Sequence, residues 1–577
     1  MKNLFTALFV MVLIPGLILA NIIHVPTDQP TIQAGINAAV NGDTVLVADS
    51  TYYENIDFKG KAITVASHFL IDGNSTHIDS SIIDGSQPSH PDSGSVVCFQ
   101  SDEDTTSVLC GFTITGGSGT HIASINRSGG GGIGMFSGGK IRNNKITGNQ
   151  IHVVTQQEIG GGGLAFAPSN NTNLIVEHNE FTQNSLSGPV NANGGGLWLG
   201  PRWNNGYIRV NNNLVSNNSV TCTGTYKAMG GGIGVSINLP TKGTIIIEKN
   251  LISNNYLYCI ASIGGGIYIV YWDPGHTITD DNPSPLICNN IIKKNYSEGL
   301  GGGIGIWTVE YGGHYPNSNI KPQPAIINNT IANNIAQDGC GIFNFDSYPL
   351  LMNNIFWDDL SASGSSEIFD NNINFAPYVP PYHDPYNDGE VFVRYSDIQD
   401  SLWSGEGNLS IDPLFVPGDS LLNLEYTIDT SRCLNSGIDS IVVNGKWCFT
   451  PQTDYAGNQR PQPIGTPPDM GAWEYDVVNA LENVQSITFP KTFSLKQNYP
   501  NPFNPSTTIE FSIPKTEFVT LKIYNLLGQE VGILVADMLI PGNYKYTWDA
   551  SAFASGIYYY KIDAGKFAET RKMILLR

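Results

Sequence analysis

The sequence predicts an all-β protein, in which a parallel β-helix solenoid precedes a small C-terminal β-sandwich of the immunoglobulin-like type. Three observations predict this fold. A glycine run recurs at a near-constant spacing, short segments of alternating β-branched residues lie between the runs, and strand-like segments separated by Pro and Gly turns occupy the C-terminus. Repeats of this period stack as supersecondary units, and alternation with period two indicates half-buried strands.

The composition is typical of a large folded protein outside the cell. At 577 residues the chain is too long for one ordinary domain, and its 41% hydrophobic residues can fill a large core. The 29 basic and 50 acidic residues give a net charge of −21. This charge repels phosphate backbones, which excludes nucleic acid as a partner.

Residues 1–20 are predicted to be a signal peptide, because Lys2 precedes an apolar run at 4–19 that ends at the small residue Ala20. No later run is long enough for a membrane span, so we expect no integral membrane segment in the mature chain. Eight cysteines in an exported chain permit disulfides, whose connectivity stays open. No CxxC or Cys/His spacing suggests a zinc site. Proximity favours three pairs: Cys98 with Cys110, Cys222 with Cys259, and Cys433 with Cys448.

The first part of the predicted solenoid is a capping helix followed by strands. Ile32, Ile36, Ala39 and Val40 share one helical face, and Asn41-Gly42 ends the helix. Such a helix would cover the open apolar end of the first coil. Strands are predicted at 44–48, 62–67, 96–100 and 111–115.

The repeated coils are marked by a glycine run and the aliphatic residue that follows it. Glycine permits positive φ and close backbone approach at such a position. Successive aliphatic residues are 31, 33, 36, 34, 37 and 38 residues apart. The seven are Ile133, Leu164, Leu197, Ile233, Ile267, Ile304 and Ile342.

Each coil also carries an Asn, an apolar residue two positions later and a polar residue five positions later. Asn tolerates the left-handed backbone expected at corners between strands, and stacked amides can bond to one another along the axis. We therefore expect structural asparagine ladders. Their members are Asn144 and Asn149, Asn179 and Asn184, Asn213 and Asn218, Asn250 and Asn255, Asn290 and Asn295, Asn329 and Asn334, and Asn354 and Asp359.

Several motifs resemble the right-handed parallel β-helix proteins of the pectin-lyase-like superfamily over residues 22–415. They are HVPT at 24–27, TIQAGI at 31–36, GDTV at 42–45 and YENI at 53–56. The resemblance implies a coil with three sheets and a surface often used for polysaccharide, but it implies no activity. It places the β-helix, with its capping helix, at 21–415.

The segment at 416–475 is predicted to close the β-helix. VRYSDI at 393–398 and IDPLF at 411–415 resemble the end of surface β-helix proteins, and DYAGNQRP at 454–461 and DMGAWEY at 469–475 resemble their closing segment. We expect this segment to cover the C-terminal end, where strand edges would otherwise be exposed. A linker at 476–492 follows.

Residues 493–577 are predicted to be a separate β-sandwich, with strands at 507–513, 519–525, 543–548, 556–564 and 567–576. NYPNPFNP at 498–505, IYNLLGQ at 523–529, ASGIYY at 554–559 and KM at 572–573 resemble the C-terminal sorting domain of type IX secretion substrates. The resemblance implies the type IX secretion machinery as a partner and a secreted or outer-surface location, after export through the periplasm. A carbohydrate-binding sandwich is the alternative.

The fifth and sixth coils carry the longest insertions, 23 and 25 residues from the aliphatic residue to the ladder Asn. Loops on a rigid scaffold often carry function. Their carboxylates and histidines suit general acid–base chemistry on a glycan, or the binding of Ca²⁺, although residues that only cover the helix would look alike. The candidate catalytic residues are Asp273, His276, Asp280, Asp281, Glu310 and His314.

An aromatic stripe is the second functional indication. The residue after each aliphatic residue should point outward, and aromatic rings there can pack against sugars or lie under the long loops. The glycan-binding candidates are Trp198, Tyr268, Trp272, Trp307, Tyr311 and Phe343.

The leading hypothesis is a secreted or cell-surface protein that binds polysaccharide or a cell-surface glycan. One alternative is a polysaccharide lyase or glycoside hydrolase acting on acidic glycans, and another is a structural adhesin. The Asn-Thr-Asp and Arg-Ile-Lys motifs of polygalacturonase-like enzymes are absent from the sequence, so its chemistry stays open.

Overall fold

The computed structural model of the chain is a β-solenoid followed by antiparallel sheets, in two compact units at 1–476 and 477–577. The structure describes residues 20–475 and 492–576, apart from short gaps at 91, 123–126, 155–157, 169–171, 202–205, 224–226, 239–242, 260, 274–283, 311–322, 362–366, 371–389, 400–402, 416–430, 444–445, 515–516, 527, 540–541, 552 and 566.

Three parallel sheets enclose the main core of the solenoid. Each coil adds one strand to each sheet, so inward side chains such as Ile252, Ile267 and Ile287 stack on their equivalents from coil to coil. Sheet A comprises Ile22–Val25, Thr44–Val47, Thr64–Ser67, Val108–Cys110, Gly139–Arg142, Leu174–Glu177, Gly206–Asn211, Gly243–Glu248, Leu286–Cys288, Ala325–Ile327, Leu350–Met352 and Phe392–Arg394. Sheet B comprises Ser50–Tyr52, Ser81–Asp84, Thr113–Thr115, Lys145–Thr147, Glu180–Thr182, Leu214–Ser216, Leu251–Ser253, Ile291–Lys293, Thr330–Ala332, Ile355–Trp357 and Asp397–Ile398. Sheet C comprises Ile56–Asp57, Val97–Phe99, Ile133–Met135, Leu164–Phe166, Leu197–Leu199, Ile233–Asn238, Ile267–Asp273, Ile304–Glu310, Ile342–Phe345 and Ile368–Asp370.

The coils with a glycine run, numbered 1 to 7 from Ile133 to Ile342, also form an arm. The arm strands, which leave sheet B and return to sheet C, make sheets E and D, and their inward side chains build a second core that includes Val220, Ala228 and Leu257. Sheet E comprises Gln150–His152, Ser185–Gly188, Ser219–Cys222, Tyr256–Tyr258, Tyr296–Ser297, Ile335–Ala336 and Leu360–Ser361. Sheet D comprises Ser93–Gly94, Gly119–Ile122, Arg127–Gly129, Glu158–Gly160, Ala192–Asn193, Lys227–Met229 and Ala261–Ile263.

The first glycine of each run makes the turn from the arm into sheet C. Gly230, for example, has φ +66°, and a Cβ there would lie 2.5 Å from the carbonyl oxygen of Ile233. An L side chain fits neither the backbone angle nor the space. The glycine runs are therefore explained by backbone geometry.

A helix at Ile32–Ala38 caps the first coil, as the sequence predicts. Ile32, Ile36 and Ala39 are buried in the main core, whereas Val40 is exposed and its assignment to this face was wrong, because the helix ends before it. The Glu54 carboxylate accepts the N–H groups of Ile32 and Gln33 at 2.9 and 3.0 Å. The helix N-terminus thus receives the negative charge that it favours. Two short helices follow at Phe69–Asp72 and Thr76–Ser80.

Two asparagine ladders run along the corners on either side of sheet B, and the predicted amide stacking is confirmed. Asn250 Oδ1 accepts from both the backbone N and Nδ2 of Asn213 at 3.0 Å, and Asn250 Nδ2 donates to Asn290 Oδ1 at 3.0 Å. The left-handed backbone was assigned to the wrong residue, however. It belongs to the residue before each ladder member, such as Lys249 with φ 56° or Asn254 with φ 53°, because the chain turns at that residue and the next strand begins directly after the ladder residue.

The closing segment was expected to cover the C-terminal end of the β-helix. In the structure it lies along the side of the last coils. Left-handed corner residues hold it, since Asn289, Asn328 and Asn353 donate to the carbonyls of Thr453, Asp469 and Ile438 at 2.7 to 2.9 Å. Corner side chains point away from the core and are therefore available for this contact. The half-buried ring of Trp403 packs against the main core after the last coil.

A buried ion pair fixes the closing segment internally. Arg460 Nε lies 2.9 Å from Glu474 Oε2, with both side chains inaccessible to solvent. Arg460 also donates to Asn289 Oδ1 on the solenoid at 3.2 Å. Both sequence motifs of this segment, at 454–461 and 469–475, therefore serve one buried contact. A two-stranded hairpin, Ser440–Val443 with Lys446–Phe449, precedes them.

The C-terminal unit consists of two antiparallel sheets with a common core, as predicted for a sandwich. Phe511 and Trp548 of one sheet and Ile523 and Tyr560 of the other are buried together. The strand at Glu530–Leu539 was not predicted, and its pairing contains register irregularities. The first sheet comprises Ser494–Leu495, Ser506–Ile513 and Gly542–Asp549, and the second Glu517–Asn525, Glu530–Leu539, Gly556–Ala564 and Phe567–Leu575.

Candidate functional site

The predicted aromatic stripe on the outer face of sheet C is buried. Trp198, Tyr268 and Phe343 point away from the main core, yet each is only 2% exposed. Sheet D of the arm lies over them: Met229 and Ile263 pack with Tyr268, Trp307 and Phe343 in one apolar cluster. The geometry thus supports packing under the arm for these side chains.

Glycines on neighbouring coils make room for these rings. In the register of sheet C, Gly234 lies between Trp198 and Tyr268, and Gly305 lies between Tyr268 and Phe343. Adjacent coils are about 4.8 Å apart, which is too close for a large ring on every coil. The alternation of aromatic and glycine residues is therefore a packing pattern.

Polar contacts hold two of the buried rings. Trp198 Nε1 donates to Ser236 Oγ at 3.2 Å, and the Arg127 guanidinium lies 4.2 Å from the centroid of the Trp198 ring. Lys227 Nζ lies 5.0 Å from the Trp307 ring, and burial lowers the pKa of this ammonium. Cations over ring faces occupy the surface that a sugar would need.

Some residues of the two long insertions lie in strands, and others lie outside the described residues. The sheet C strands of coils 5 and 6 are extended to Asp273 and Glu310, which are register partners, and Trp272 lies half-buried on the same extension. Part of each expected loop is therefore strand. The candidates His276, Asp280, Asp281, Tyr311 and His314 lie outside the described residues.

Sheet E carries an exposed aromatic surface that the sequence analysis missed. Its outward column is polar in the first three coils, with Gln150, Ser185 and Ser219, and apolar in the last four. The apolar members are Tyr256, Tyr296, Ile335 and Leu360, which are register partners in successive strands. Each member of the column directly follows a residue of the second ladder. The sequence signal was therefore the type of residue at the position after each of these ladder residues: Asn149, Asn184, Asn218, Asn255, Asn295, Asn334 and Asp359.

Three rings form the centre of this surface, which we call the tyrosine row: Tyr256, Tyr258 and Tyr296. Tyr258 is 47% exposed, and the other two are half-buried. The ring centroids of Tyr256 and Tyr258 are 5.9 Å apart with planes 2° from parallel, and Tyr258 and Tyr296 are 5.8 Å apart. Ile335 and Leu360, which are 39% and 61% exposed, continue the row to coil 7.

The tyrosine row has a rigid base and an acidic neighbour. Leu257, between Tyr256 and Tyr258, points to the other side of the strand and is fully buried in the arm core. The exposed Glu298 lies beside Tyr258 in the next coil, since its N–H donates to the Leu257 carbonyl at 3.1 Å. The surface therefore presents aromatic rings, phenolic hydroxyls and one carboxylate on fixed strands. Among the described residues, no group of three His, Cys, Asp or Glu side chains could hold a metal ion.

Comparison with known families identifies the C-terminal unit. Residues 497–576 match the family model of the secretion system C-terminal sorting domain. No curated protein and no solved structure matches the chain. Of the helices in the described part of the chain, none is long and apolar enough to cross a membrane. The chain is therefore a β-solenoid protein with a type IX sorting domain, which secretion delivers to the cell surface or the extracellular space.

Proposed function

We propose that this secreted solenoid binds polysaccharide and that the tyrosine row is the contact surface. The observation that carries the proposal is a partly exposed aromatic and aliphatic column on four consecutive coils of a protein sorted to the outside of the cell. Tyrosine has an apolar ring and a polar tip, a combination suited to sugars, which have both C–H faces and hydroxyl groups. Because coils repeat about every 4.8 Å, the column suits an extended chain along the solenoid axis.

Charge favours an uncharged polysaccharide over an acidic one. The net charge of −21 repels polyanions at low ionic strength, and Glu298 adds a carboxylate beside Tyr258. That carboxylate can accept hydrogen bonds from sugar hydroxyls. We expect neutral glycans to be retained more strongly than acidic ones.

The test is retention of the secreted protein on neutral and acidic polysaccharides, with affinity electrophoresis as the measurement. The variant Tyr256→Ala/Tyr258→Ala/Tyr296→Ala should lose most of the retention. Its matched control is Ser219→Ala/Thr221→Ala, which changes the register partners of Tyr256 and Tyr258 on the polar coil. Unchanged retention of the tyrosine variant, with an unchanged thermal melt, would contradict the proposal.

The same panel separates binding from turnover. New reducing ends or unsaturated products in any incubation would favour a hydrolase or a lyase, respectively. If a product formed and the tyrosine variant still formed it, the reactive residues would lie elsewhere on the solenoid.

A further inference from the structure

A second exposed aromatic surface lies on the hairpin of the closing segment. Trp447 and Phe449 are 63% and 64% exposed, and their ring centroids are 6.0 Å apart with planes 17° from parallel. Val442, the register partner of Trp447, is also exposed and completes the same face. This surface, which we call the hairpin platform, lies over sheet A, whereas the tyrosine row lies on sheet E.

The hairpin platform is held in place from behind. Ile441, Val443 and Cys448 point to the other side of the hairpin and pack against the outer face of sheet A, where Ile327 and Met352 are buried. Asn353 Nδ2 fastens both ends of the hairpin, since it donates to the Ile438 carbonyl at 2.9 Å and to Thr450 Oγ1 at 2.8 Å. The exposed face is therefore not needed for the folding contacts of the hairpin.

The size of the platform selects a small occupant. Two aromatic side chains offer about 300–500 Å² when fully covered, whereas a stable protein interface buries about 800 Å² on each partner. A second copy of this chain, or another folded protein, would need further surface that the three side chains do not supply. One or two sugar rings match the dimensions of the pair.

The chemistry of the platform selects an uncharged sugar. Trp and Phe rings stack on the C–H groups of a pyranose, a contact that needs no charge on the sugar, and the net charge of −21 repels acidic sugars. We propose that the hairpin platform is a saccharide-binding site that stacks uncharged pyranose rings on Trp447 and Phe449. This site stands independently of the tyrosine row. If both operate, one chain engages a polysaccharide at two places, and the second contact is made at high effective concentration.

Titration of the full secreted chain with uncharged hexasaccharides of glucose, mannose and xylose tests the proposal, with tryptophan fluorescence and calorimetry as readouts. An exposed indole reports its own coverage, so we expect the emission to change and the change to vanish in Trp447→Ala/Phe449→Ala. Affinity of that variant should fall by about tenfold or more, as for other exposed aromatic anchors. The matched control is Ile464→Ala, another exposed apolar side chain of the closing segment, and it should bind normally.

Each other outcome counts against the hairpin platform. No fluorescence change with any of the sugars, or wild-type affinity in Trp447→Ala/Phe449→Ala, overturns it. A dimer in sedimentation velocity that this variant dissolves would assign the face to a second copy instead. The tyrosine-row variant should keep the fluorescence change with the hexasaccharides. If that variant loses polysaccharide retention but the wild-type protein shows no fluorescence change, the hairpin platform is refuted and the proposed function stands.

Discussion

Asp359 stands where the other six coils carry asparagine, at the end of the second ladder. Its Oδ1 accepts from Asn334 Nδ2 at 2.9 Å, as a ladder asparagine would. Its Oδ2 lies against Gly341, in the position that Asn334 Nδ2 takes against Gly303. In that position Asn334 Nδ2 donates to a carbonyl of the preceding coil, that of Ile292, at 2.9 Å. A protonated Oδ2 would supply the same donor.

We predict that Asp359 makes the solenoid less stable as the pH rises from about 4 to 6. Burial raises the pKa of Asp359 from 3.8 to about 6, so between these values the folded chain holds a proton that the unfolded chain has lost. The free energy of unfolding then falls with rising pH across this window and stays low above it. Asp359→Asn should raise it by about 1–3 kcal/mol at pH 7 and flatten the dependence.

Urea denaturation at several pH values measures this effect. The control is Asp358→Asn, which changes the exposed corner residue next to it and should reduce the slope much less than Asp359→Asn, because the Asp358 charge is only a minor cause of the raised pKa of Asp359. Other buried carboxyls also have raised pKa values, among them Asp469 at about 6, so a reduced slope is expected rather than none. An equal slope in wild type and Asp359→Asn would rule out a protonated ladder end.

The arm places two cysteines side by side. None of the eight cysteines, all of which lie in the described part of the chain, forms a disulfide in the structure, and the favoured pairs Cys98 with Cys110 and Cys433 with Cys448 are divided between different sheets or clusters. Cys222 and Cys259 follow the register partners Thr221 and Tyr258 in adjacent strands, and a hydrogen bond from the Cys222 thiol lowers the pKa of Cys259. A thiolate is the nucleophile in disulfide exchange.

We predict that Cys222 and Cys259 form a disulfide once the chain meets a thiol-oxidising compartment. The bridge closes a loop of roughly 40 residues, for which the chain-entropy model gives about 3–4 kcal/mol of stabilisation. Mass spectrometry of unreduced peptides from secreted protein should find this link, and Cys222→Ser should melt at a lower temperature. Cys98→Ser, at a cysteine without such a neighbour, is the control. Two free thiols in secreted protein would contradict the prediction.

Elements that repeat were predictable from the sequence, whereas elements that depend on tertiary covering were not. The glycine runs and ladder asparagines recur because every coil needs the same turn and the same amide stack. The arm escaped prediction because its strands are short and vary from Gln150–His152 to Leu360–Ser361. Sheet C alone would leave the outward-pointing Trp198 exposed to solvent, and Trp198 is buried because sheet D covers it. The tyrosine row was missed because the sequence does not show whether a Tyr after a ladder Asn is buried or exposed.

The solenoid and the sorting domain are separate compact units. The sorting domain has its own core, and its NYPNPFNP motif is anchored inside it: Tyr560 Oη accepts from the Asn498 N–H at 2.8 Å, and Asn498 Nδ2 donates to Thr507 Oγ1 at 2.8 Å. The described solenoid likewise completes its core without residues beyond 475. The solenoid fold and the sorting function thus belong to different parts of one chain.

This separation predicts that deletion of residues 493–577 abolishes delivery without unfolding the solenoid. In a host with the secretion system, the truncated chain should accumulate inside the outer membrane, while its thermal melt, measured on purified protein, matches the solenoid transition of the full chain. Conversely, residues 477–577 fused to an exported reporter enzyme should carry the reporter out. Efficient release of the truncated chain would place the sorting signal in the solenoid, and a lost melting transition would show that the solenoid needs the C-terminal unit to fold.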